Sequence, residues 1–212
     1  MRRTLAPAGL AAIFALCAVQ PARAVNYHVG PGQAYLTPSN VPWESLVAGD
    51  SVLIHARATP YADKWVICRV GTQAAPIIVH GVPDPATGAL PQLTAVNAVT
   101  RSVLNFWNEE RGVIKIGGAN VPADTQPAWI VVENLDISGA RSPNQFTGRS
   151  GVTTYSTNAS SIYIEKGDHV TVRGCRLHDC GNGFFCASGT SELSPSITAT
   201  RLARCCFAVA RK

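Results

Sequence analysis

Charged residues are scarce in this sequence, and no segment beyond the N-terminus shows the 3.6-residue periodicity of an amphipathic helix. Only 15% of the 212 residues are charged, whereas 46% are hydrophobic. This balance excludes a disordered chain and allows one good hydrophobic core. The missing helical periodicity indicates that the core is built from strands.

The sequence also lacks a basic body. Its formal net charge is +5, but three basic residues precede residue 25 and four follow residue 200. Between residues 25 and 190 there are 11 Lys and Arg against 12 Asp and Glu, a net charge of −1. A near-neutral body has no electrostatic footprint for nucleic acid, so nucleic acid is excluded as a partner.

No apolar run is long enough to span a bilayer. Met1-Arg-Arg is a basic start, residues 5–19 are apolar, and Ala22-Arg-Ala24 has the small-residue pattern of a cleavage site. These features predict a signal peptide over residues 1–24, cleaved after Ala24. We therefore expect a secreted or periplasmic protein with no membrane anchor after cleavage.

No C-x-x-C pair is present, so the cysteine spacings match no common metal site. Export would permit disulfides, whereas the strand pattern places Cys175 and Cys186 at inward apolar positions, as small buried hydrophobes. The pairing stays open for all six cysteines of the expected mature chain: Cys68, Cys175, Cys180, Cys186, Cys205 and Cys206.

Short apolar alternations separated by Gly, Pro, Asn and Asp fill the rest of the chain. Such a pattern is typical of a sandwich, a barrel or a β-solenoid, and an internal repeat distinguishes them. Ile162-Tyr-Ile-Glu aligns with Phe184-Phe-Cys-Ala at an offset of 22 residues, which fits one coil of a parallel β-helix.

A second alignment supports the repeat. Residues 129–138 lie over residues 169–178, with Ile130 on Val170, Val132 on Val172, Leu135 on Cys175 and Ile137 on Leu177. A polar insertion at 141–160 explains the larger offset, and a second insertion, 119–128, follows the first strand of the earlier coil, which starts at Val113. The sequence therefore predicts an all-β right-handed parallel β-helix with about three recognisable coils, entered through a less regular region over residues 25–108.

Several phrases near the N-terminus resemble a known architecture. They are Tyr27-His-Val-Gly-Pro-Gly, Leu46-Val-Ala-Gly-Asp-Ser-Val-Leu-Ile, and Gly71-Thr-Gln-Ala-Ala-Pro-Ile-Ile-Val-His-Gly. Together with the coil phrases, their order resembles secreted bacterial right-handed parallel β-helix proteins, including polysaccharide lyases of the pectate lyase and chondroitinase/alginate lyase types. The resemblance covers about residues 27–190.

This resemblance implies β-elimination of an acidic polysaccharide. Such chemistry needs a cation, either calcium or Arg and Lys, to neutralise a uronate carboxylate, and a base to remove the neighbouring proton. No tight acidic pair stands on one strand column, so no metal ligands are assigned and a calcium cofactor is left open.

The alignment predicts a binding face. Lys115, Tyr163 and Phe185 should occupy equivalent outward positions on successive strands, because side chains alternate faces along a strand. Stacked Tyr and Phe rings would form an apolar strip for sugar faces, bordered by the two insertions. In the alternative, loops cover these aromatics, which then serve packing alone.

Basic residues nearby are the catalytic candidates. Lys166 and Lys115 are the candidate bases, and Arg173 is the candidate partner of the substrate carboxylate. Arg176 and His178 are candidate substrate-binding residues. The alternative interpretation is ordinary surface pairing, with Arg173 and Arg176 bound to acidic residues of the preceding coil.

The predicted organisation is a signal peptide (1–24), a β-helix domain (25–190) and an irregular or truncated tail (191–212), because the strand pattern breaks after Ile197. Two functions of different classes stay open. One is binding or β-elimination of an acidic polysaccharide, and the other is a non-catalytic β-helix module or an inactive truncated relic.

Overall fold

The computed structural model describes residues 23–193. Within this range the secondary structure is almost entirely β, with three short 3-10 helices at Pro38–Asn40, Trp43–Ser45 and Glu109–Arg111. None of the helices in the described range is long and apolar enough to cross a membrane. The expected signal peptide up to residue 22, the tail from residue 194, Cys205 and Cys206 lie outside the described residues.

Short strands follow one another along the described chain. Their bounds are β1 Asn26–Val29, β2 Ser51–His55, β3 Asp63–Ile67, β4 Ile77–Val82, β5 Gln92–Thr94, β6 Ala98–Thr100, β7 Asn105–Phe106, β8 Gly112–Ile116, β9 Ala119–Val121, β10 Ala128–Glu133, β11 Asp136–Ser138, β12 Gln145–Gly148, β13 Gly151–Thr154, β14 Ser160–Ile164, β15 Gly167–Arg173, β16 Arg176–His178, β17 Asn182–Cys186 and β18 Gly189–Leu193.

Parallel pairing between strands distant in sequence dominates the topology. The first sheet has the order β1-β2-β4-β10-β15-β18, and the second has the order β16-β11-β5. The third sheet has the order β13-β12-β6-β3-β8-β14-β17, and only its β12–β13 pair is antiparallel. A separate antiparallel pair joins β7 to β9.

The register agrees with the sequence alignment. Val132 pairs with Val172 between β10 and β15, and Ile137 pairs with Leu177 between β11 and β16. Ile162 pairs with Ile114 on one side and with Phe184 on the other. The all-β class, the parallel pairing and these predicted columns are therefore confirmed.

The parallel ladder extends further toward the N-terminus than the sequence indicated. Val52 of β2 pairs with Val79 of β4, which pairs in turn with Val132 of β10. Residues 25–108, expected to be less regular, thus contribute in-register strands to all three large sheets. Their short, Gly- and Pro-separated strands hid this continuity.

The core consists of columns of inward aliphatic side chains. In β2 and β4 every second residue is buried, and β10 and β15 show the same alternation from Ile130 and Val170 onward, as the two-residue period of a strand requires. Each fully buried Val or Ile contributes about 1.5–3 kcal/mol relative to an exposed position. Near the N-terminus the buried indoles of Trp43 and Trp65 stack with ring centroids 4.6 Å apart.

The corner that follows β10 shows how closely the chain segments after neighbouring parallel strands approach one another. Asn134 follows β10 in a left-handed conformation, with φ of 57°, and donates its backbone N–H to the carbonyl of Arg173. A Cβ on Gly81 would lie 1.8 Å from the Asn134 carbonyl oxygen, and one on Gly174 would lie 2.2 Å from Asn134 Oδ1. Glycine is required at both positions because Asn134 occupies the space that a Cβ would need.

The cysteines of the described range are all buried. Cys68, Cys175 and Cys186 carry thiols without a disulfide, which agrees with their interpretation as small hydrophobes. Burial raises the pKa of the Cys175 thiol to about 11. This thiol is therefore protonated and unreactive at neutral pH.

Candidate functional site

The predicted row of Lys115, Tyr163 and Phe185 exists as a register but not as an open strip. Tyr163 pairs with Lys115 on one side and with Phe185 on the other, and the two aromatic rings stack with centroids 5.6 Å apart. However, Lys115 is 1% exposed and Tyr163 is 5% exposed, whereas Phe185 is half-buried. The face that should stack sugars is covered.

The segment from β7 to β8 forms much of this cover. The guanidinium carbon of Arg111 lies 5.2 Å from the centre of the Tyr163 ring and 5.7 Å from that of Phe185. The indole of Trp107 and the side-chain amide of Asn108 donate to the Glu165 carboxylate. This arrangement matches the packing alternative for these aromatics.

Lys115 is held by acceptors on every side. Its ammonium lies 2.7 Å from Glu165 Oε2 and donates to the carbonyl oxygens of Gly118, at 2.7 Å, and Trp107. Burial lowers the pKa of Lys115, although Glu165 opposes that shift. Burial also opposes ionisation of Glu165, but the hydrogen bond from Lys115 and those from Asn108 and Trp107 outweigh it and lower the pKa of this carboxyl. The pair is a structural bridge.

Lys166 lies at the corner between β14 and β15. Its ammonium contacts Asp124 Oδ2 at 2.6 Å, and both side chains are about one-third exposed. Arg173 lies at the other end of β15, roughly 20 Å away for seven residues of extended strand. Lys166 and Arg173 therefore cannot act together on one uronate residue.

Arg173 belongs to an ionic row on the outer face of the first sheet. Its Nε donates to Glu133 Oε2, and Glu133 Oε1 lies 2.7 Å from His80 Nδ1. Burial opposes ionisation of Glu133, but its hydrogen bonds with Arg173 and His80 lower the pKa of this carboxyl. The Arg173 side chain is nevertheless 53% exposed.

Arg176 and His178 lie on the second sheet, around the corner from Arg173. Both side chains contact the Asp136 carboxylate. Its Oδ2 lies 3.3 Å from Arg176 Nη1, and its Oδ1 lies 2.8 Å from His178 Nε2. Burial opposes protonation of His178, but its hydrogen bonds with Asp179 and Asp136 outweigh that effect and raise its pKa. The pairing of Arg173 with Glu133 and of Arg176 with Asp136 agrees with the surface-pairing alternative.

These pairings bear on a metal site. Glu133, Asp136 and Glu165 each bind a cationic or imidazole side chain of the protein. Within residues 23–193 no group of three or more His, Cys, Asp and Glu side chains is placed to hold a metal ion. The residues present therefore do not fit a calcium site.

A pocket that no sequence pattern indicated lies on the outer face of the first sheet. Its volume is about 200 Å³, and its walls include Gln73, Pro76, Val131 and Thr171. One side is formed by Trp129 and His169, whose rings stack with centroids 3.9 Å apart and planes 15° apart. The alignment had placed Trp129 over His169, but nothing in it indicated that the two side chains meet.

Both stacked residues have unusual backbones. The φ angle is 52° at Trp129 and 50° at His169. Bulky residues rarely adopt this left-handed region, and such strain concentrates at functional sites. The repetition of the same conformation in adjacent strands aligns the two rings.

A second unpredicted cluster surrounds Lys64 on the third sheet. Lys64 is fully buried, and its ammonium donates to the Glu109 carbonyl oxygen at 2.6 Å. The ammonium also lies 3.3 Å from the Phe146 ring centre and 4.6 Å from that of Tyr155. Burial lowers the pKa of Lys64 to about 7, against the opposing attraction of Glu109.

An open pocket of about 500 Å³ adjoins this cluster. Thr100 and Gly148 are part of its lining, and both approach the Glu109 carboxylate. Two arginines, Arg101 and Arg149, lie on the same lining, although Arg101 is engaged by Glu44 at 2.8 Å. The pocket thus combines hydroxyl and cationic groups, and its wall includes Thr100, the strand partner of the buried Lys64.

No family model matches the sequence, and neither the curated proteins nor the solved structures provide a significant match. The resemblance to polysaccharide lyases therefore stays a hypothesis that depends on the quoted phrases and on the parallel-strand architecture.

Proposed function

We propose that this chain is a secreted right-handed parallel β-helix protein of polysaccharide-lyase-like type, and that it binds an acidic polysaccharide across the outer face of its first sheet. The in-register stacking of equivalent strands in three sheets supports the β-helix. Parallel crossover connections are almost always right-handed, which supports the hand.

The observation that carries the binding proposal is the Trp129–His169 stack together with an exposed arginine, Arg173, on the same face of the sheet. Sugar rings present apolar C–H faces, which pack on flat aromatic surfaces. Arg173 lies on the same outer face, in register with Glu133 and four residues beyond His169 along β15, about 13 Å away. Aromatic and cationic groups at this spacing suit a chain of sugars that carry carboxylates.

Binding is favoured over cleavage on this face. The two lysines predicted as bases, Lys115 and Lys166, are held by Glu165 and Asp124. A group that is saturated by a carboxylate is a poor proton acceptor for a substrate. Neither lysine is therefore free to act as a base for a substrate on the first sheet, and we assign this face to recognition.

The test is binding of uronate-containing and neutral polysaccharides, measured by affinity electrophoresis or calorimetry on chains starting at Val25. Trp129→Ala should weaken binding to the uronate polymer several-fold, and Arg173→Gln should weaken it in a salt-dependent manner. Trp107→Ala serves as the matched control, because Trp107 is exposed but lies over the covered third-sheet face. Loss of binding in Trp107→Ala with none in Trp129→Ala would move the site to that face.

A second candidate function is β-elimination at the pocket near Lys64. The observation in its favour is a lysine whose pKa lies near neutrality, since a general base works best when its pKa is close to the working pH. Cleavage would produce an unsaturated uronate that absorbs near 235 nm. Turnover that Lys64→Met abolishes and Lys166→Met preserves would establish this activity, and absence of turnover across a uronate panel would remove it.

A further inference from the structure

Asp50 is a buried carboxylate in the turn before β2. It is 1% exposed, and its two oxygens accept backbone N–H groups from Val25 and Val47, each at 2.9 Å. Ionised carboxylates are seldom fully buried unless they are paired with a cation. Yet none of the ion pairs formed within residues 23–193 includes Asp50.

The atom facing Asp50 Oδ1 is the backbone nitrogen of Val25. The following ladder fixes this nitrogen, since the Val25 carbonyl accepts the N–H of Ser51 at 2.9 Å and β1 begins at Asn26. The preceding Ala24 is exposed. Val25 is also the residue that follows the Ala22-Arg-Ala24 pattern of a cleavage site. Two independent observations therefore meet at one nitrogen atom.

We propose that Asp50 is the receptor for a processed N-terminus, in which the new ammonium group of Val25 forms a partly buried ion pair with the Asp50 carboxylate. A peptidase of the signal-peptidase class would hydrolyse the Ala24–Val25 bond with one water molecule. The C–N bond breaks, the water oxygen enters the Ala24 carboxylate, and the Val25 nitrogen leaves as an ammonium. No movement of β1 is needed, because the nitrogen already lies at hydrogen-bond distance.

Processing thereby changes the strength of one contact. In the uncleaved chain all donors to Asp50 are neutral: the N–H groups of Val25 and Val47 and the hydroxyl of Tyr27. After cleavage a charge-assisted hydrogen bond replaces one of them, and such bonds are roughly twice as strong as neutral ones. The ion pair would strengthen the attachment of β1 to the start of β2 only in the mature protein.

Tyr27 is the other titratable group at this carboxylate. Burial and the Asp50 charge raise its pKa above its ordinary value of 10.0, so its hydroxyl stays neutral wherever the ammonium titrates. An ammonium paired with a carboxylate has a folded-state pKa above the unfolded value of about 8. Its stabilisation is then complete below about pH 8 and is lost as the pH rises through the folded value.

The decisive comparison uses the chain starting at Val25 and the same chain acetylated at its α-amino group. Acetylation keeps the N–H donor to Asp50 and removes only the positive charge. The free-amine chain should unfold at a temperature about 2–4 °C higher, the shift expected for about 1 kcal/mol in a protein of this size. The same pair carrying Asp50→Asn should differ by less than 1 °C.

Two further measurements test the ion pair and the cleavage position directly. The α-amino pKa, followed by NMR in a chain labelled at Val25, should exceed 8 and return to about 8 in Asp50→Asn. The mass of exported protein should correspond to a start at Val25. Equal unfolding temperatures for free and acetylated chains, a difference that persists in Asp50→Asn, or an exported chain with another start would each overturn the proposal.

Discussion

The indole ring of Trp129 lies on the imidazole ring of His169 in the adjacent parallel strand, with centroids 3.9 Å apart. Both residues adopt a left-handed backbone directly before the buried, paired residues Ile130 and Val170. The shared conformation stacks the two rings face to face at the wall of the pocket, with their planes 15° apart. Strain in two backbones is the cost of that orientation.

This strain can be measured by comparing two small residues at position 129. In an ordinary strand, glycine is less stable than alanine by about 0.5–1 kcal/mol. At a φ of 52° the order should reverse, because a Cβ in the left-handed region costs roughly 1–2 kcal/mol. Trp129→Gly should therefore be about 1 kcal/mol more stable than Trp129→Ala in denaturant unfolding. An alanine variant as stable as the glycine variant would show that the backbone is relaxed.

The second prediction concerns the close contact between Gly174 and Asn134 at the corner after β10. Gly174 and Gly88 have similar left-handed φ angles, 62° and 71°, but a Cβ would meet Asn134 Oδ1 at 2.2 Å in the first and nothing within 4 Å in the second. Alanine at either position costs roughly 1–2 kcal/mol of backbone strain. Gly174→Ala should lose about 1–3 kcal/mol more, the usual cost of overpacking. Chemical denaturation of both variants checks this, and equal losses would contradict the close contact.

The bridge between Lys115 and Glu165 makes a third prediction. Glu165→Gln removes the partner of an ammonium that is 1% exposed, which should reduce the free energy of unfolding by roughly 3–5 kcal/mol. The control is Asp124→Asn, which breaks the more exposed pair with Lys166 and should cost about 1 kcal/mol or less. Urea titrations at pH 7 measure both losses. If Glu165→Gln were no worse than Asp124→Asn, Lys115 would be accessible to solvent and the predicted face would be open.

The register between β10 and β15 could be predicted from the sequence alone. A shift of one residue between β10 and β15 would turn Val132 and Val172 to the outside, so the hydrophobic alternation permits a single pairing. The same rule extends the ladder through Val52 and Val79, which short strands and frequent turns concealed in the sequence.

The candidate site could not be predicted in the same way. Alternation correctly placed Lys115 and Tyr163 on the face opposite the Ile114 and Ile162 column. Whether that face is open depends on where Trp107 and Arg111 fold back, and those contacts follow no local period. Lys64 was hidden for a related reason, since its burial comes from Phe146 and Tyr155, which lie more than 80 residues later in the chain.

Lys64 makes the last prediction, which concerns pH. Its pKa falls from 10.5 in the unfolded chain to about 7 in the folded chain because the ammonium is buried. Below pH 7 both states hold the proton, so the cost of burying the charge is complete. Between about pH 7 and 10.5 the folded chain has released the proton while the unfolded chain keeps it. Stability should therefore rise with pH through this window, by up to about 1.4 kcal/mol per pH unit from this group.

Lys64→Met isolates that contribution, because it keeps a long side chain and removes the titrating amine. The difference in the free energy of unfolding between the parent and Lys64→Met should shift in favour of the parent as the pH rises from 7.5 to 9.5. Lys166→Met is the control for the lysine-to-methionine replacement itself, since Lys166 is 29% exposed. Parallel stability curves for the parent and Lys64→Met would mean that the buried lysine keeps its proton, and the base proposed for the adjoining pocket would be lost with it.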